Sequence, residues 1–151
     1  MPIVNDPKTE SGEDEIGKFS ATLLSDAGGL TQFGAFAETL FPNSFASKPH
    51  WHANEDEMIY ILSGTVCLHE GGTITAMTAG DAATFKAGAA VGHCLENNSE
   101  LPATYLVIGT RSGADVVTYP ETGNVLTVKD GVKTLCDSTG AVVSTAPYHG
   151  G

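Results

Sequence analysis

Pro49-His50-Trp51-His52-Ala53-Asn54-Glu55-Asp56-Glu57 brings two imidazoles and three carboxylates together within eight positions of His50 to Glu57. On an extended strand successive side chains alternate between faces, so His50 and His52 point the same way. Two ring nitrogens on one face have the spacing needed to grip a single cation. The step from His52 to Glu57 is odd, so one unbroken strand would put Glu57 on the opposite face. Ala53-Asn54-Glu55 is therefore expected to bulge or turn, and Asn54 suits a turn. The His pair then ends one element and Glu57 opens the next.

Downstream, Asp56 to Leu62 reads as the clearest strand, Ser63-Gly64 as a two-residue hairpin turn and Thr65 to His69 as the return strand. Pairing Leu62 with Thr65 puts Glu57, Ile59, Ile61, Val66 and Leu68 on one face, an apolar wall around one acid. Met58, Tyr60, Cys67 and His69 fall on the other face, which removes His69 from the candidate ligands. Glu70-Gly71-Gly72 and Ala79-Gly80-Asp81 are turns around a strand from Thr73 to Thr78, and Ala82 to Phe85 is the next strand. Lys86 to Ala90 is a loop, followed by strands from His93 to Asn97 and from Ala103 to Gly109. His93 follows Gly92, which permits a close backbone approach, so His93 is the best third imidazole. Cys94 alternates away from it and is expected to be a buried apolar group. Asn97 either orients a ligand or closes a turn.

Upstream, Leu30 to Phe41 is β-like until Pro42-Asn43-Ser44 breaks it, and Glu15 to Leu24 shows a trace of helical period. Met1 to about Lys18 is polar and acidic and reads as an arm, loose at its start. Near the other end, Val125 to Val128 and Val132 to Cys136 flank Lys129-Asp130-Gly131 as a second hairpin. His149 is expected to be solvated, as are Glu55 and Asp56, while Trp51 packs against the outer sheet. Short strands at close spacing with Gly-rich turns predict a single all-β domain, a sandwich or barrel.

The charge balance narrows the partners. Seven Lys and Arg stand against 18 Asp and Glu, a net charge of -11. Such a chain is a poor match for nucleic acid, whose binding rests on cationic contacts to phosphate, and for an anionic membrane surface. A small-molecule substrate is the remaining expectation. Arg111 is the only arginine, so an anionic substrate would find few cationic clamps besides a metal. Lys86 and Arg111 are the candidate substrate-binding cations. Cys67, Cys94 and Cys136 form no CxxC pair and read as free thiols of a reducing compartment. Met1 to Gly17 has no apolar core of a secretory signal and no segment reaches the length of a membrane span, so the cytoplasm is the expected location.

The spacing His50-Trp51-His52, four residues, Glu57, six residues, Gly64 resembles the first motif of the cupin superfamily. Gly80, five residues, Lys86-Ala87-Gly88, four residues, His93, three residues and Asn97 are similar to the second. That motif departs from the family twice: Lys86 stands where a proline is usual, and two extra residues precede His93. Gly29-Leu30-Thr31-Gln32-Phe33-Gly34, Tyr105 to Arg111 and Tyr119-Pro120 extend the resemblance to small single-domain cupins that often carry the provisional label sugar-phosphate isomerase. The resemblance implies a double-stranded β-helix, a jelly-roll-like barrel, over residues 19–113. A flexible acidic N-terminal arm would occupy 1–18, and a C-terminal extension over 114–151, with a hairpin, would pack on the barrel or on a partner subunit. It also implies a homodimer, for which exposed Met58, Tyr60 and Leu62 would supply an apolar face. One divalent metal ion would be held by His50, His52, Glu57 and His93, the four positions that side-chain parity also selects.

Three imidazoles and a carboxylate suit Fe, Mn, Co, Ni, Cu or Zn alike. Open coordination positions would serve a Lewis-acid enzyme, isomerase or lyase in type, acting on a small hydroxy-carbonyl or sugar-like compound. The alternatives are a non-haem iron dioxygenase and a non-catalytic cupin that binds a metal or small molecule. A lyase with a tyrosine base two residues past the glutamate would find Ile59 there, which speaks against that chemistry.

Overall fold

The computed structural model describes residues 3–148, and strands dominate it. In chain order these are β1 (Thr9–Glu13), β2 (Lys18–Leu23), β3 (Phe33–Leu40), β4 (Ser44–Phe45), β5 (Trp51–His52), β6 (Glu57–Ser63), β7 (Thr65–Glu70) and β8 (Thr73–Thr78). There follow β9 (Ala82–Phe85), β10 (His93–Asn97), β11 (Ala103–Thr110), β12 (Ala114–Tyr119), β13 (Asn124–Lys129), β14 (Val132–Cys136) and β15 (Val142–Pro147). A single helical turn, α1 (Leu24–Ala27), joins β2 to β3. One sheet has the order β1-β2-β3-β11-β6-β9, a second β4-β10-β7-β8 and a third β15-β14-β13-β12-β5. This is a double-stranded β-helix. Among the described residues no helix is long and apolar enough to cross a membrane.

The first two sheets meet over one core. Leu40, Ile59, Ile61, Ala103 and Tyr105 come from the first, Val66, Met77 and Leu95 from the second. Each fully buried aliphatic chain contributes about 1.5–3 kcal/mol relative to exposure. The alternation read along Glu57 to Leu68 holds: Ile59, Ile61 and Val66 are buried, while Met58, Tyr60 and Leu62 are exposed.

The pairing read there does not hold. Ser63-Gly64 is no hairpin turn: β6 pairs with β11 and β9, whereas β7 pairs with β10 and β8. The chain passes here from one sheet to the facing sheet, and the inward set shifts by one residue at the crossing, from odd positions Ile59 and Ile61 to even position Val66, as it would in a two-residue hairpin. Gly64 makes that passage possible. Its φ is +79°, and a Cβ would lie 2.8 Å from both Ala103 Cα and Pro102 O, so any side chain would be strained and crowded at once.

Two N-terminal expectations are also corrected. The helical trace over Glu15 to Leu24 is overridden by tertiary pairing, because Lys18–Leu23 is hydrogen-bonded on both edges, to β1 and to β3. Residues 9–17 of the expected flexible arm are built into the sheet. β1 forms a ladder with β2, and Asp14 Oδ1 accepts the N–H groups of Ile16 (2.9 Å) and Gly17 (3.1 Å) to close the turn.

Over residues 114–147, β12 to β15 run as an antiparallel meander, with the Asp130-Gly131 turn set by the Lys129–Val132 pairing. Its first strand pairs with β5, Val117 opposite His52 and Thr118 opposite Trp51. The strand that carries His52 therefore belongs to the C-terminal sheet.

Candidate metal centre

Backbone pairing assembles the centre before any side chain acts. His50 and His93 form an isolated antiparallel bridge and exchange both hydrogen bonds, His50 N–H to His93 O at 3.2 Å and His93 N–H to His50 O at 3.0 Å. Residues so opposed present side chains on one face, and the two ring centroids lie 4.8 Å apart. His52, two residues on, shares the face, its ring 5.2 Å from that of His50. Gly92 lets this region close: a Cβ there would meet Pro120 Cγ at 2.9 Å. After His52 the chain bends, and Glu57 opens β6 in a different sheet, which resolves the odd step between them.

Glu57 lies between the rings. Its Oε1 is 3.1 Å from His93 Nε2 and its Oε2 is 3.7 Å from His52 Nε2. One donor atom each from His50, His52 and Glu57 lies within 4.8 Å of the others. His93 joins the group through Glu57 and His50.

The outer hydrogen bonds suit a cation. His50 Nδ1 is 2.9 Å from Lys48 O. A carbonyl only accepts, so the proton sits on Nδ1 and the Nε2 lone pair is left for the centre. His52 Nδ1 is 2.7 Å from Asp115 Oδ2, which fixes the same tautomer. Asp115 is 2% exposed, and its Oδ1 accepts the Asn54 N–H at 2.9 Å. Acceptors behind ligating histidines in this way are the usual means of aiming them. His93 is aimed differently, stacked on Phe85 with centroids 3.6 Å apart and planes at 5°.

The electrostatics agree with a site that prefers unprotonated ligands. Burial lowers the His50 pKa, against the hydrogen bond to Lys48 O and helped by the neighbouring His93. Burial alone would raise Glu57, but the hydrogen bond and charge of His93, with His50 and His52, bring its carboxyl below the ordinary value. Glu55 is raised by burial, against a hydrogen bond from the Ser112 N–H, with Asp115 adding to the rise. Glu55 is thus not the solvated acid expected: its Oε2 accepts from Ser112 N–H at 3.0 Å, and its Oε1 lies 3.6 Å from His52 Nδ1. Asp56 is exposed.

A cavity of about 190 Å³ opens beside the centre, with His50, Glu57 and His93 on its wall together with Phe36, Glu38 and Tyr105. A second, of about 240 Å³, shares Glu57 and adds His52, Glu55, Gly109 and Tyr148. Lys86 lines a separate open groove with Glu57, Met58 and Ile108. Arg111 is placed elsewhere. Its guanidinium donates to Leu30 O at 2.7 Å, to Asp26 Oδ1 and to Ser25 Oγ, so it ties β11 to the α1 turn.

Other residues sort themselves. His69 Nε2 is 2.9 Å from Glu96 Oε1, away from the centre. Cys94 is buried, and its thiol is pushed up to about 11 by that burial and by Glu121 and Glu96, an unreactive group. Asn97 closes a turn: its Nδ2 donates to Leu40 O and Leu101 O, both at 2.8 Å, and its Oδ1 accepts from Ser99 N–H and Oγ–H. His149 lies outside the described residues.

Sequence reading passes over Asp115, Glu38 and Tyr105. Asp115 is 63 residues from its histidine, and no local pattern marks it. For Glu38 a signal exists: it is the lone charge in Phe33–Leu40, on the parity of Phe36 and Leu40.

Residues 36–109 match the family model for the cupin domain. No curated protein matches the chain. Among solved structures, a cupin-superfamily sugar phosphate isomerase from Silicibacter pomeroyi superposes with a TM-score of 0.86 at 28% identity, over 95% of this chain and 97% of its own. A protein from Acidithiobacillus ferrooxidans, proposed as a sugar phosphate isomerase, gives 0.78 at 29% identity, over 85% and 81%. A polyketide cyclase from Streptomyces resistomycificus shares the fold alone, at 0.59 and 21% identity over 73% and 79%. The motif histidines and glutamate are thus gathered in a double-stranded β-helix, and residues 36–109 are a cupin domain.

Proposed function

We propose that this protein is a divalent-metal enzyme of Lewis-acid type, an isomerase acting on a small hydroxy-carbonyl or sugar-like compound. The observation that carries the reading is the gathering of His50, His52, Glu57 and His93 around one centre, with His50, Glu57 and His93 on the wall of a cavity of about 190 Å³. The name sugar phosphate isomerase, borne by a structure that covers nearly the whole chain, supports the choice of reaction.

His50, His52, Glu57 and His93 would hold the ion. When bound it supplies positive charge that polarises a carbonyl. Phe36, Ile59, Leu95 and Val107 belong to the apolar part of the cavity wall and would keep water from a reacting carbon. Lys86, at the groove that shares Glu57, would meet an acidic group on a substrate. Exposed Met58, Tyr60 and Leu62 support a homodimer. A monomeric mass by light scattering at micromolar concentration would remove that part.

The test is elemental analysis of protein purified without chelator, beside His50→Ala, followed by aldose–ketose interconversion assays. Wild type is expected to carry one metal per chain and the variant none, with product formed only by the loaded protein. Oxygen consumption without isomerised product would turn the reading to a non-haem iron dioxygenase. Ligand affinity without product would turn it to a binding protein.

A further inference from the structure

Glu38 and Tyr105 occupy the cavity wall beside the metal-centre residues, outside the close group of His50, His52 and Glu57. Glu38 and Tyr105 are register partners across β3 and β11, and Tyr105 in turn opposes Ile61 of β6. Alternation turns Glu38 inward with Phe36 and Leu40. Tyr105 is 1% exposed, and its hydroxyl donates to Glu38 Oε1 at 2.5 Å. Among the described residues no cation pairs with Glu38, and no hydrogen bond engages its Oε2.

An inward acid without a cation is a poor stabilising device. Desolvation of a carboxylate costs several kcal/mol, and an apolar pair of the same volume would pack at least as well. Groups held against this cost in a cleft are candidates for chemistry. The titratable side chains that share the cavity with Glu38 are Tyr105 of β11, Glu57 of β6, His50 beside β5, and His93 and Cys94 of β10.

We infer that Glu38 is the proton-transfer group of this cavity and that Tyr105 is the positioning residue that fixes its carboxylate. The inference rests on the isomerase reading above and names the group that moves the proton. Glu38 Oε2 takes the proton from the carbon beside a substrate carbonyl. The C–H pair becomes the C=C of an enediol, and the carbonyl π pair moves to oxygen. The carboxyl then returns the proton to the neighbouring carbon, while the hydroxyl proton passes from one oxygen to the other. Atoms and electrons balance with no oxidant and no net proton.

The local electrostatics fit the role. Burial raises the Glu38 pKa above its ordinary value, the Tyr105 hydrogen bond opposes the rise, and the charge of Glu57 adds to it. A carboxyl nearer to neutrality transfers protons in both directions more readily. Tyr105 is pushed well above its ordinary value by burial and by Glu38, so its hydroxyl remains a donor.

The experiment uses metal-loaded full-length protein with dihydroxyacetone and fructose 6-phosphate in D2O, following C–H exchange by NMR. Binding of glycolohydroxamate, a planar enediolate mimic, is measured by calorimetry alongside. Glu38→Gln is expected to keep its metal and its mimic affinity while exchange falls by about 100-fold or more. Tyr105→Phe is expected to move the acid limb of the exchange profile to higher pH, since the carboxylate loses a donor that stabilises it. Exchange at the wild-type rate in Glu38→Gln overturns the inference and leaves the isomerase reading intact. Wild type that exchanges neither probe and binds no mimic removes the isomerase reading, and this inference with it. Should Glu38→Gln not fold, Glu38→Asp draws the carboxylate back by one methylene. It is expected to keep metal and mimic and lose most exchange, and an unchanged rate overturns the inference.

Discussion

His50 and His52 are aimed by acceptors behind them, Lys48 O at 2.9 Å and Asp115 Oδ2 at 2.7 Å. His93 is aimed by a ring against its face, Phe85 at 3.6 Å. The first pair sits at the junction with the C-terminal sheet, the second inside the barrel. One half of the centre is thus oriented by polarity and the other by shape. The two should fail differently: loss of an acceptor changes which nitrogen carries the proton, whereas loss of the ring frees the imidazole and opens a void.

Glu57 is the joint between the halves, facing His52 with one oxygen and His93 with the other. The largest effect is expected from Glu57→Ala. Metal content by elemental analysis should fall from one per chain to background, because three imidazoles from two differently held elements lose the acid that spans them. Full retention of metal would mean that the halves do not act as one site.

Phe85→Ala comes next. Removing a large buried ring costs about 3–5 kcal/mol of stability, read as the shift of a urea transition. Metal affinity should weaken as well, since His93 loses its orientation, but the main loss should be in folding. An unchanged transition would contradict the claim that the barrel half is held by packing.

Asp115→Asn should reverse that balance. An amide can turn its N–H toward His52 and favour the wrong tautomer, as changes behind ligating histidines typically cost about 10–100-fold in metal affinity. That is about 1.4–2.7 kcal/mol by titration calorimetry. Equal affinity in variant and wild type would show that the short Asp115 contact does not aim His52.

The same contrast explains what could be read in the sequence. Side-chain alternation is local, so the inward set Ile59, Ile61 and Val66 and the outward set Met58, Tyr60 and Leu62 were legible, as was the His50, His52, Glu57 and His93 pattern. Strand partnership is not local. Ser63-Gly64 has the composition of a hairpin turn, yet positive φ at Gly64 serves a crossing between sheets equally well, and both shift the inward set by the same one residue, from Ile61 to Val66. Asp115 was illegible for the same reason: its role is created by the pairing of β12 with β5, which no feature near residue 115 announces. Lys18–Leu23 became a strand because both its edges found partners, and Arg111 became a tie because α1 placed acceptors beside it.

Acid should separate the halves most gently. The His50 pKa is lowered from 6.5, chiefly by burial, so the folded protein resists a proton that the unfolded chain accepts. Stability from this group is therefore complete above about pH 6.5 and declines as pH falls through the lower folded value. The carboxyl of Glu57 is lowered from 4.5 despite its burial, because His93, His50 and His52 stabilise its charge. Its contribution declines only below about pH 4.5. The urea midpoint of metal-free protein should accordingly drop in two stages, and His50→Phe should abolish the upper one alone. Metal release should follow the upper stage, since imidazoles must be neutral to bind. A midpoint that stays flat from pH 7 to about 5, or an upper stage that survives in His50→Phe, would show that His50 is not held neutral by the fold.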